Sequence, residues 1–297
     1  IELMGDKIES KKIAKKAGVN CIPGNEHAIE NLKHGLKEAK IIGYPVMIKA
    51  SAGGGGKGMR IVKNQNEFEE LLIAAKNEAM NAFGDDRVFI EKYIEQPRHI
   101  EMQILSDNHG NILWLGEREC SIQRRHQKII EEAPSSFIDT SIRTKMGEQA
   151  VSLAKAVNYS SAGTVEFVVD KNQNFYFLEM NTRLQVEHPV TELVTGLDLV
   201  EEMINIANNK KLTFHQEDIE VKGWSFESRL CAESPKKNFL PSAGRIENIN
   251  YPTKDIRIDL GYQSGGEVSI YYDSLLAKII SFGNNRDEAL AKMLNAL

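Results

Sequence analysis

The chain has 297 residues, a net charge of −5 and a pI near 5.9, and 41% of its residues are hydrophobic. This composition is typical of a globular protein, and the acidic balance argues against nucleic acid as the main partner. No apolar run approaches the roughly 20 residues of a membrane span. Three widely spaced cysteines, Cys21, Cys120 and Cys231, favour a reducing compartment over a disulfide framework.

The first part of the chain predicts a small α/β unit. Helical patterns cover residues 7–17 and 28–40, and apolar runs at residues 45–50 and 59–62 predict two strands. Asn66, with Glu69 three residues later, indicates the start of a further helix that has Phe68 and Leu72 on one face. We therefore expect a lid-like unit of two strands packed against helices.

The loop between these two strands, within SAGGGGKGMR at residues 51–60, is rich in glycine. It does not fit the Walker pattern, because Gly58 stands where serine or threonine is needed. The dinucleotide fingerprint requires a following helix, whereas a strand is predicted here. We interpret the loop as a flap over nucleotide phosphates, and a surface hairpin without ligand is the alternative.

The rest of the chain predicts a mixture of strands and helices. Strands are expected at residues 88–94, 100–105, 112–115 and 223–231, a hairpin at 164–180, and helices at 142–157, 197–208 and 286–297. Alternation places Ile100, Met102 and Ile104 on one face of their strand. The final helical pattern reaches Leu297 without a stop signal and the chain begins at Ile1, so we expect a fragment of a longer protein.

The predicted hairpin brings two carboxylates together. If residues 171–174 form its loop, Asp170 pairs with Phe175, and the same register places Glu166 opposite Glu179. Like charges directly opposite each other are destabilising, so this pair needs a proton or a cation. Asn181 follows on the same face, and these oxygen ligands suit Mg²⁺. An exposed acidic stripe is the alternative interpretation.

A cationic segment, Arg118 to Lys128, stands out in this acidic chain. Such runs are often solvated surfaces. Together with the segment NTRLQVEH at residues 181–188, however, it predicts a second anion site, in which Lys128 and Arg183 hold a small oxyanion beside Glu187 as a base. The histidines have no metal-binding spacing, and His99 and His126 are predicted to be polar contacts.

Several longer strings make the chain similar to a known family. The strings MGDKIESKK, KASAGGGGKGMR, EKYIEQPRHIE, ERECSIQRRHQKIIEEAP, EMNTRLQVEHPVTE and YYDSLLAKI resemble the biotin carboxylase component of biotin-dependent carboxylases. The resemblance implies an α/β (α+β) ATP-grasp fold with a glycine-rich lid, over residues 1–205 with the lid at about 20–90. It further implies a truncated biotin carboxylase C-terminal domain over 206–297 and a missing N-terminal domain.

The resemblance also implies the site residues. ATP contacts correspond to Lys7, Lys49, Gly55, Gly56, Glu91, Lys92, Tyr93, Ile94, His99, Gln123 and His126. The divalent ions correspond to Glu166, Glu179 and Asn181; bicarbonate to Lys128, Arg183, Gln185 and Val186, with Glu187 as the base; and biotin to Arg229. One small departure is Ser228, where cysteine is common in the family.

The implied activity uses ATP and Mg²⁺ or Mn²⁺ to convert bicarbonate to carboxyphosphate, which then carboxylates biotin. The implied partners are bicarbonate, a biotinylated carrier domain and a carboxyltransferase beta subunit, in an oligomer without nucleic acid or membrane. The expected location is the cytoplasm, or the mitochondrial matrix if the source is eukaryotic. Two alternatives remain: another ATP-grasp ligase that joins a carboxylate to an amine, and a non-catalytic nucleotide-binding module.

Overall fold

The computed structural model describes residues 2–25, 27–52, 57–252 and 254–297. The helices are α1 Glu2–Gly5, α2 Lys7–Lys16, α3 Leu32–Ile42, α4 Phe68–Phe83, α5 Thr140–Ala156, α6 His188–Thr195, α7 Leu199–Ala207 and α8 Arg286–Ala296. The strands up to residue 231 are β1 Val46–Ala50, β2 Met59–Val62, β3 Val88–Lys92, β4 Arg98–Ser106, β5 Ile112–Arg124, β6 Gln127–Ala133, β7 Ser161–Val169, β8 Phe175–Asn181 and β9 Trp224–Cys231. The remaining strands are β10 Glu233–Ser234, β11 Leu240–Pro241, β12 Gly244–Arg245, β13 Ile256–Leu260, β14 Glu267–Val268 and β15 Leu275–Gly283.

A small antiparallel sheet has the strand order β2-β1-β3. Helices α3 and α4 contribute to one core with it, in which Ile48, Val62 and Phe68 are fully buried. The predicted start of α4 is wrong. Asn64, rather than Asn66, accepts a backbone hydrogen bond and caps a 3₁₀ turn over Gln65–Glu67, after which α4 begins at Phe68.

The large sheet has eight strands in the order β13-β15-β9-β6-β5-β4-β7-β8, and every neighbouring pair is antiparallel. The predicted face of β4 is confirmed, because Ile100, Met102 and Ile104 are fully buried in one cluster with Met146 and Leu153 of α5. The alternate residues of β4 face the other side of the sheet. That side carries the polar site described below.

Strands β5 and β6 form a long hairpin that the sequence only partly predicts. The predicted strand at residues 112–115 extends to Arg124, and the chain returns as Gln127–Ala133. The turn between them places Arg125 and His126 at φ values of 52° and 66°, in the left-handed region. The cationic segment is therefore mostly strand, and its side chains alternate between the two faces of the sheet.

The hairpin β7–β8 contains a bulge that corrects the predicted register. Val169, rather than Asp170, pairs with Phe175, so the predicted pairing at the turn is wrong. The register then shifts by one residue between Phe167 and Glu166, with Leu178 as the extra residue. Glu166 consequently pairs with Glu179, as predicted.

Two helices follow β8 closely. The sequence did not predict α6, an eight-residue helix with proline in its first turn, whereas the predicted helix at 197–208 corresponds to α7. Val190 and Val194 of α6 are buried in a cluster with Ala133 and Ile280 of the large sheet. Among the described helices, none combines the length and the apolar character needed to cross a membrane.

Candidate active site

One cavity of about 480 Å³ brings most of the predicted site residues together. The predicted residues that line it are Lys7, Lys49, His99, Gln123, His126, Lys128, Glu166, Glu179, Asn181, Arg183, Gln185, Val186, Glu187 and Arg229. These residues come from α2, from the small sheet, from β4, from the β5–β6 and β7–β8 hairpins of the large sheet, from the segment before α6 and from β9. Residues far apart in the chain thus share one cavity.

The other predicted ATP residues lie outside this lining. Lys92, Tyr93 and Ile94 line a second cavity of about 710 Å³, where they meet Pro45 and the β7–β8 turn. Lys92 donates hydrogen bonds to the carbonyl oxygens of Gly43 and Tyr44, at 2.9 and 3.2 Å. The predicted contacts Gly55 and Gly56 lie outside the described residues.

Glu91 is buried behind the cavity and holds two lysines. Its Oε2 lies 2.7 Å from Lys49 Nζ, and its Oε1 lies 2.8 Å from Lys11 Nζ. All three residues are less than 10% exposed. Burial would raise the pKa of Glu91, but the charges of Lys49 and Lys11 lower it below its ordinary value. Glu91 therefore acts as an ionised anchor for Lys49, which lines the cavity.

Glu166 is the centre of the acidic part of the site. It accepts hydrogen bonds from Lys128, Asn181 and Gln185, at 3.0, 2.8 and 2.8 Å, and His99 Nε2 lies 2.8 Å from its Oε2. Burial would raise its pKa, but the hydrogen bond from His99 and the charge of Lys128 hold it well below its ordinary value. Glu166 is therefore a carboxylate whose orientation is fixed.

Glu179 differs from its partner on β7. Its pKa is raised, first by burial and then by the neighbouring charge of Glu166. Lys7, across the cavity, has a lowered pKa because of burial. A divalent ion would relieve the repulsion between Glu166 and Glu179, and carboxylate and amide oxygens are the donors that Mg²⁺ prefers. The donor set formed by Glu166, Glu179 and Asn181 thus fits such an ion.

Lys128 joins the acidic part to the predicted anion site. Its ammonium group contacts Glu101, and donates to Glu166 Oε1 at 3.0 Å and to Glu187 Oε1 at 2.6 Å. Burial would lower its pKa, but Glu101 is the largest of several nearby negative charges that raise it. Lys128 therefore stays charged and neutralises a group of buried carboxylates.

Arg118 lies at the centre of a buried hydrogen-bond network that the sequence did not predict. It is fully buried, and its guanidinium group donates to Glu101, Gln103, Thr164, Gln185 and Thr191. These partners use all five of its N–H groups. Gln185 in turn donates a hydrogen bond to Glu166. Arg118 therefore orients Gln185 directly and Glu166 through Gln185.

Arg229 enters the cavity from β9. Its guanidinium group lies 2.7 Å from Glu131 Oε1 and 3.0 Å from Glu187 Oε2. The cross-strand partner of Arg229 is Lys278 of β15, which donates to the carbonyl oxygen of Val186 at 3.0 Å. Glu187 thus accepts a hydrogen bond from Lys128 on one oxygen and from Arg229 on the other.

The remaining cavity residues are less constrained. Arg183 and His126 are exposed, and Arg183 Nη1 donates only a long hydrogen bond, 3.3 Å, to the carbonyl oxygen of Leu184. Gln123 donates to the carbonyl oxygen of Cys120 at 2.8 Å. The thiol of Cys120 is fully buried, which raises its pKa well above the ordinary value. Arg183 and His126 are therefore available to a ligand.

Comparison with known families assigns almost the whole chain. The family described as "Carbamoyl-phosphate synthase L chain, ATP binding domain" matches residues 6–215, and "Biotin carboxylase C-terminal domain" matches residues 227–297. The first match covers the residues of both hairpins and of the small sheet. The second match begins at Glu227 and includes Arg229.

Individual relatives agree with this assignment. The chain is 59% identical to the mitochondrial propionyl-CoA carboxylase alpha chain of Sus scrofa over its whole length, but spans only 41% of that protein. It is 51% identical to the biotin carboxylase of Nostoc sp., of which it spans 67%.

A solved structure agrees as well. The biotin carboxylase domain of the Hydrogenobacter thermophilus 2-oxoglutarate carboxylase, a dimer in complex with MgADP, ADP and bicarbonate, matches with a TM-score of 0.96 and 48% identity. That match covers 99% of this chain and 65% of the solved one. The chain therefore belongs to the biotin carboxylase family of ATP-grasp proteins.

Proposed function

We propose that this chain carries the biotin carboxylase half-reaction, in which ATP phosphorylates bicarbonate to carboxyphosphate and the carboxyl group passes to biotin. The observation that carries the proposal is the single cavity that joins three kinds of group. These are cations suited to phosphates, two facing carboxylates, and a cation–carboxylate group that ends at Arg229. A relative named biotin carboxylase, and a similar structure in complex with MgADP and bicarbonate, support the same conclusion.

The phosphate end of the cavity has Lys7, Lys49 and His126. Lys49 is preoriented by the buried Glu91, so its charge is placed before the nucleotide binds. Glu166, Glu179 and Asn181 would hold the divalent ion, which supplies neutralisation of phosphate charge when bound. The second cavity, beside Lys92, Tyr93 and Ile94, would take the adenine end of the nucleotide.

The bicarbonate end has Lys128, Arg183, Gln185, the backbone of Val186, and Glu187. Arg183, which is exposed in the cavity, would bind the anion, while Glu187 would accept its proton. Both oxygens of Glu187 contact cations, so the position of this carboxylate is set by Lys128 and Arg229. Arg229 would then stabilise the negative charge that develops on the ureido oxygen of biotin.

The partners and the final acyl acceptor are proposed from the relatives rather than from the residues of this chain. Biotin would be attached to a carrier domain, and a carboxyltransferase beta subunit would use the carboxylated biotin. The named relative favours propionyl-CoA as the acyl acceptor.

We also propose the division at residues 1–205 and 206–297, with the lid at about 20–90 and an N-terminal biotin carboxylase domain elsewhere in the protein. The three cysteines, which form no disulfide, fit the cytoplasm or the mitochondrial matrix.

The test separates the two half-reactions in the full-length protein. Glu187→Gln is expected to remove carboxylation of free biotin altogether, because bicarbonate loses its base. Arg229→Ala is expected to retain both Mg·ATP binding and the slow ATP cleavage that depends on bicarbonate. Carboxylation of free biotin should fall about a hundred- to a thousandfold. ATP cleavage by the wild type that ignores bicarbonate and biotin but responds to an amine would instead favour the carboxylate–amine ligase.

A further inference from the structure

Two buried glutamates face each other directly behind Arg229. Glu131 of β6 and Glu227 of β9 are cross-strand partners, and both are 0% exposed. Facing residues of an antiparallel pair have their Cβ atoms about 4.5–5.5 Å apart, on the same face of the sheet. The two carboxyl groups are therefore close neighbours. The proposed mechanism uses neither of them.

The hydrogen bonds of this pair are incomplete. Glu131 Oε1 accepts from Arg229 Nε at 2.7 Å. Within the described part of the chain, Glu131 Oε2 and both oxygens of Glu227 are buried without a hydrogen-bond partner. A buried polar group without a partner is strongly unfavourable, and a buried unpaired charge is more so. One proton placed between the two residues would satisfy two of these three atoms.

The surroundings decide which residue holds that proton. Burial raises the pKa of Glu131 to about 7, but the contact with the guanidinium group of Arg229 acts against this rise and favours the ionised form of Glu131 over that of Glu227. Glu227 has Ile280 as its partner on β15, and Ile280 belongs to the apolar cluster with Val190. Burial, and then the charge of Glu131, raise the pKa of Glu227 well above its ordinary value.

The two cations of the described chain that act on Glu227 are both held by other groups. Lys278, the lysine whose charge acts most strongly on it, is held by Asp259 Oδ2 at 2.8 Å and by the carbonyl oxygen of Val186. Arg229 contacts Glu131 and Glu187. The negative charge of Glu187 raises the pKa of Glu227 further and so disfavours its ionised form.

We propose that Glu227 is a neutral carboxylic acid that donates a hydrogen bond to Glu131 Oε2 and thereby holds the Glu131 carboxylate against Arg229. Glu227 is then a positioning residue: it fixes Glu131, Glu131 fixes Arg229, and Arg229 contacts Glu187. The effect on biotin rests on the proposed function, whereas the protonation of Glu227 does not.

The first test makes the same substitution at both facing positions of the full-length protein. Glu227→Gln keeps a donor, because the amide NH₂ replaces the O–H, so kcat and the KM for free biotin should stay within about twofold of wild type. Glu227→Leu removes the donor and should raise the KM for biotin about tenfold, with the KM for ATP unchanged. Glu131→Gln removes one of the two carboxylates that contact Arg229, and it should be at least as damaging as Glu227→Leu.

The outcomes that overturn the proposal are specific. Glu227→Gln as damaging as Glu227→Leu would mean that the ionised form is needed. Tolerance of Glu131→Gln equal to that of Glu227→Gln would mean that the two residues do not have different roles. An equal rise in the KM for ATP would indicate a general structural effect rather than positioning of Arg229.

A second measurement needs neither activity nor the Leu variant. The infrared difference spectrum of wild type minus Glu227→Gln, at neutral pH and without substrates, should contain the C=O stretching band of a protonated carboxyl group. Only carboxylate bands in this spectrum would overturn the proposal. If the band is present but the wild type does not carboxylate biotin, the protonation of Glu227 is supported and the proposed function is refuted.

Discussion

Glu166 and Glu179 lie directly opposite each other on β7 and β8, and a bulge at Leu178 produces this pairing. Without the bulge, the register set by the turn would pair Glu166 with Leu178. The bulge also turns Leu178 toward the cavity, which it lines beside Glu179. A local irregularity of one strand thus creates the acidic pair, and its repulsion leads to the first prediction.

Replacing Glu179 with glutamine should separate metal binding from stability. We expect Mg·ATP cleavage by the full-length protein to fall by more than about a hundredfold, since metal-assisted charge neutralisation contributes several kcal/mol. Without Mg²⁺ and nucleotide, the thermal midpoint should stay equal or rise, because burial and Glu166 disfavour the charge of Glu179. Steady-state ATPase assays and thermal melts followed by circular dichroism test this, with the exposed Glu148→Gln of α5 as a control. Normal ATPase activity in Glu179→Gln would refute the metal assignment.

Replacing Glu91 with glutamine should destabilise the protein strongly. The change removes the carboxylate that the buried Lys11 and Lys49 both contact, and breaking a buried ion pair typically lowers the free energy of unfolding by about 3–5 kcal/mol. The matched control is Glu9→Gln, which breaks a solvent-exposed pair with Lys12 and should change it by less than about 1 kcal/mol. Urea unfolding curves compare the two variants. Equal small shifts would contradict the anchor role of Glu91.

Replacing Lys278 with methionine should affect bicarbonate more than ATP. The side chain keeps its approximate length but no longer donates to the carbonyl oxygen of Val186. A hydrogen bond from a charged group contributes about 1.5–3 kcal/mol, so the KM for bicarbonate should rise roughly tenfold or more. The KM for ATP should not change. Lys292→Met on α8 removes hydrogen bonds to the carbonyl oxygen of Phe282 and to Glu288, which do not line the cavity, and it should alter neither constant. Parallel rises in both constants for Lys278→Met would contradict a specific effect on bicarbonate.

The buried acid Glu227 predicts a pH dependence of stability. A carboxyl group whose pKa is raised on folding stabilises the folded state below its unfolded pKa, about 4.3, and this stabilisation is lost as the pH rises toward the folded value. Glu227→Gln has no such loss. Its free energy of unfolding, relative to wild type, should therefore increase between pH 5 and pH 7 by up to ~1.4 kcal/mol per pH unit. Urea unfolding curves measured across this range provide the test. A difference in the free energy of unfolding between variant and wild type that does not change with pH would indicate that the pKa of Glu227 is the same in the folded and unfolded states.

Local patterns predicted a large part of this molecule. The alternation of Ile100, Met102 and Ile104 identified the core face of β4, because the two-residue period of a strand appears directly in the sequence. The pairing of Glu166 with Glu179 was also predicted, although from a turn register that is wrong. Two one-residue differences cancelled there, because the bulge compensates for the longer turn.

Long-range contacts escaped prediction. Arg118 lies in a cationic run that resembles a surface, and only the folded chain brings it to Gln103, Thr164, Gln185 and Thr191. Glu131 and Glu227 are 96 positions apart in the chain, and nothing local indicates that β6 and β9 are neighbours. Five charged residues between positions 117 and 128 belong to β5 or β6, whereas the predicted strand covered only residues 112–115, so the position of these charges in the sheet was not predicted.

The pairing of β6 with β9 has a consequence for any attempt to divide the protein. The first family match ends at residue 215 and the second begins at residue 227, so the gap between them is an obvious place to divide the protein. A cut there would strip one hydrogen-bonded neighbour from each of these strands and leave two open edges. Open edges of this kind pair with other chains and promote aggregation. Each half would also expose one member of the Glu131–Glu227 pair to water, so neither half would retain the buried proton or the orientation of Arg229.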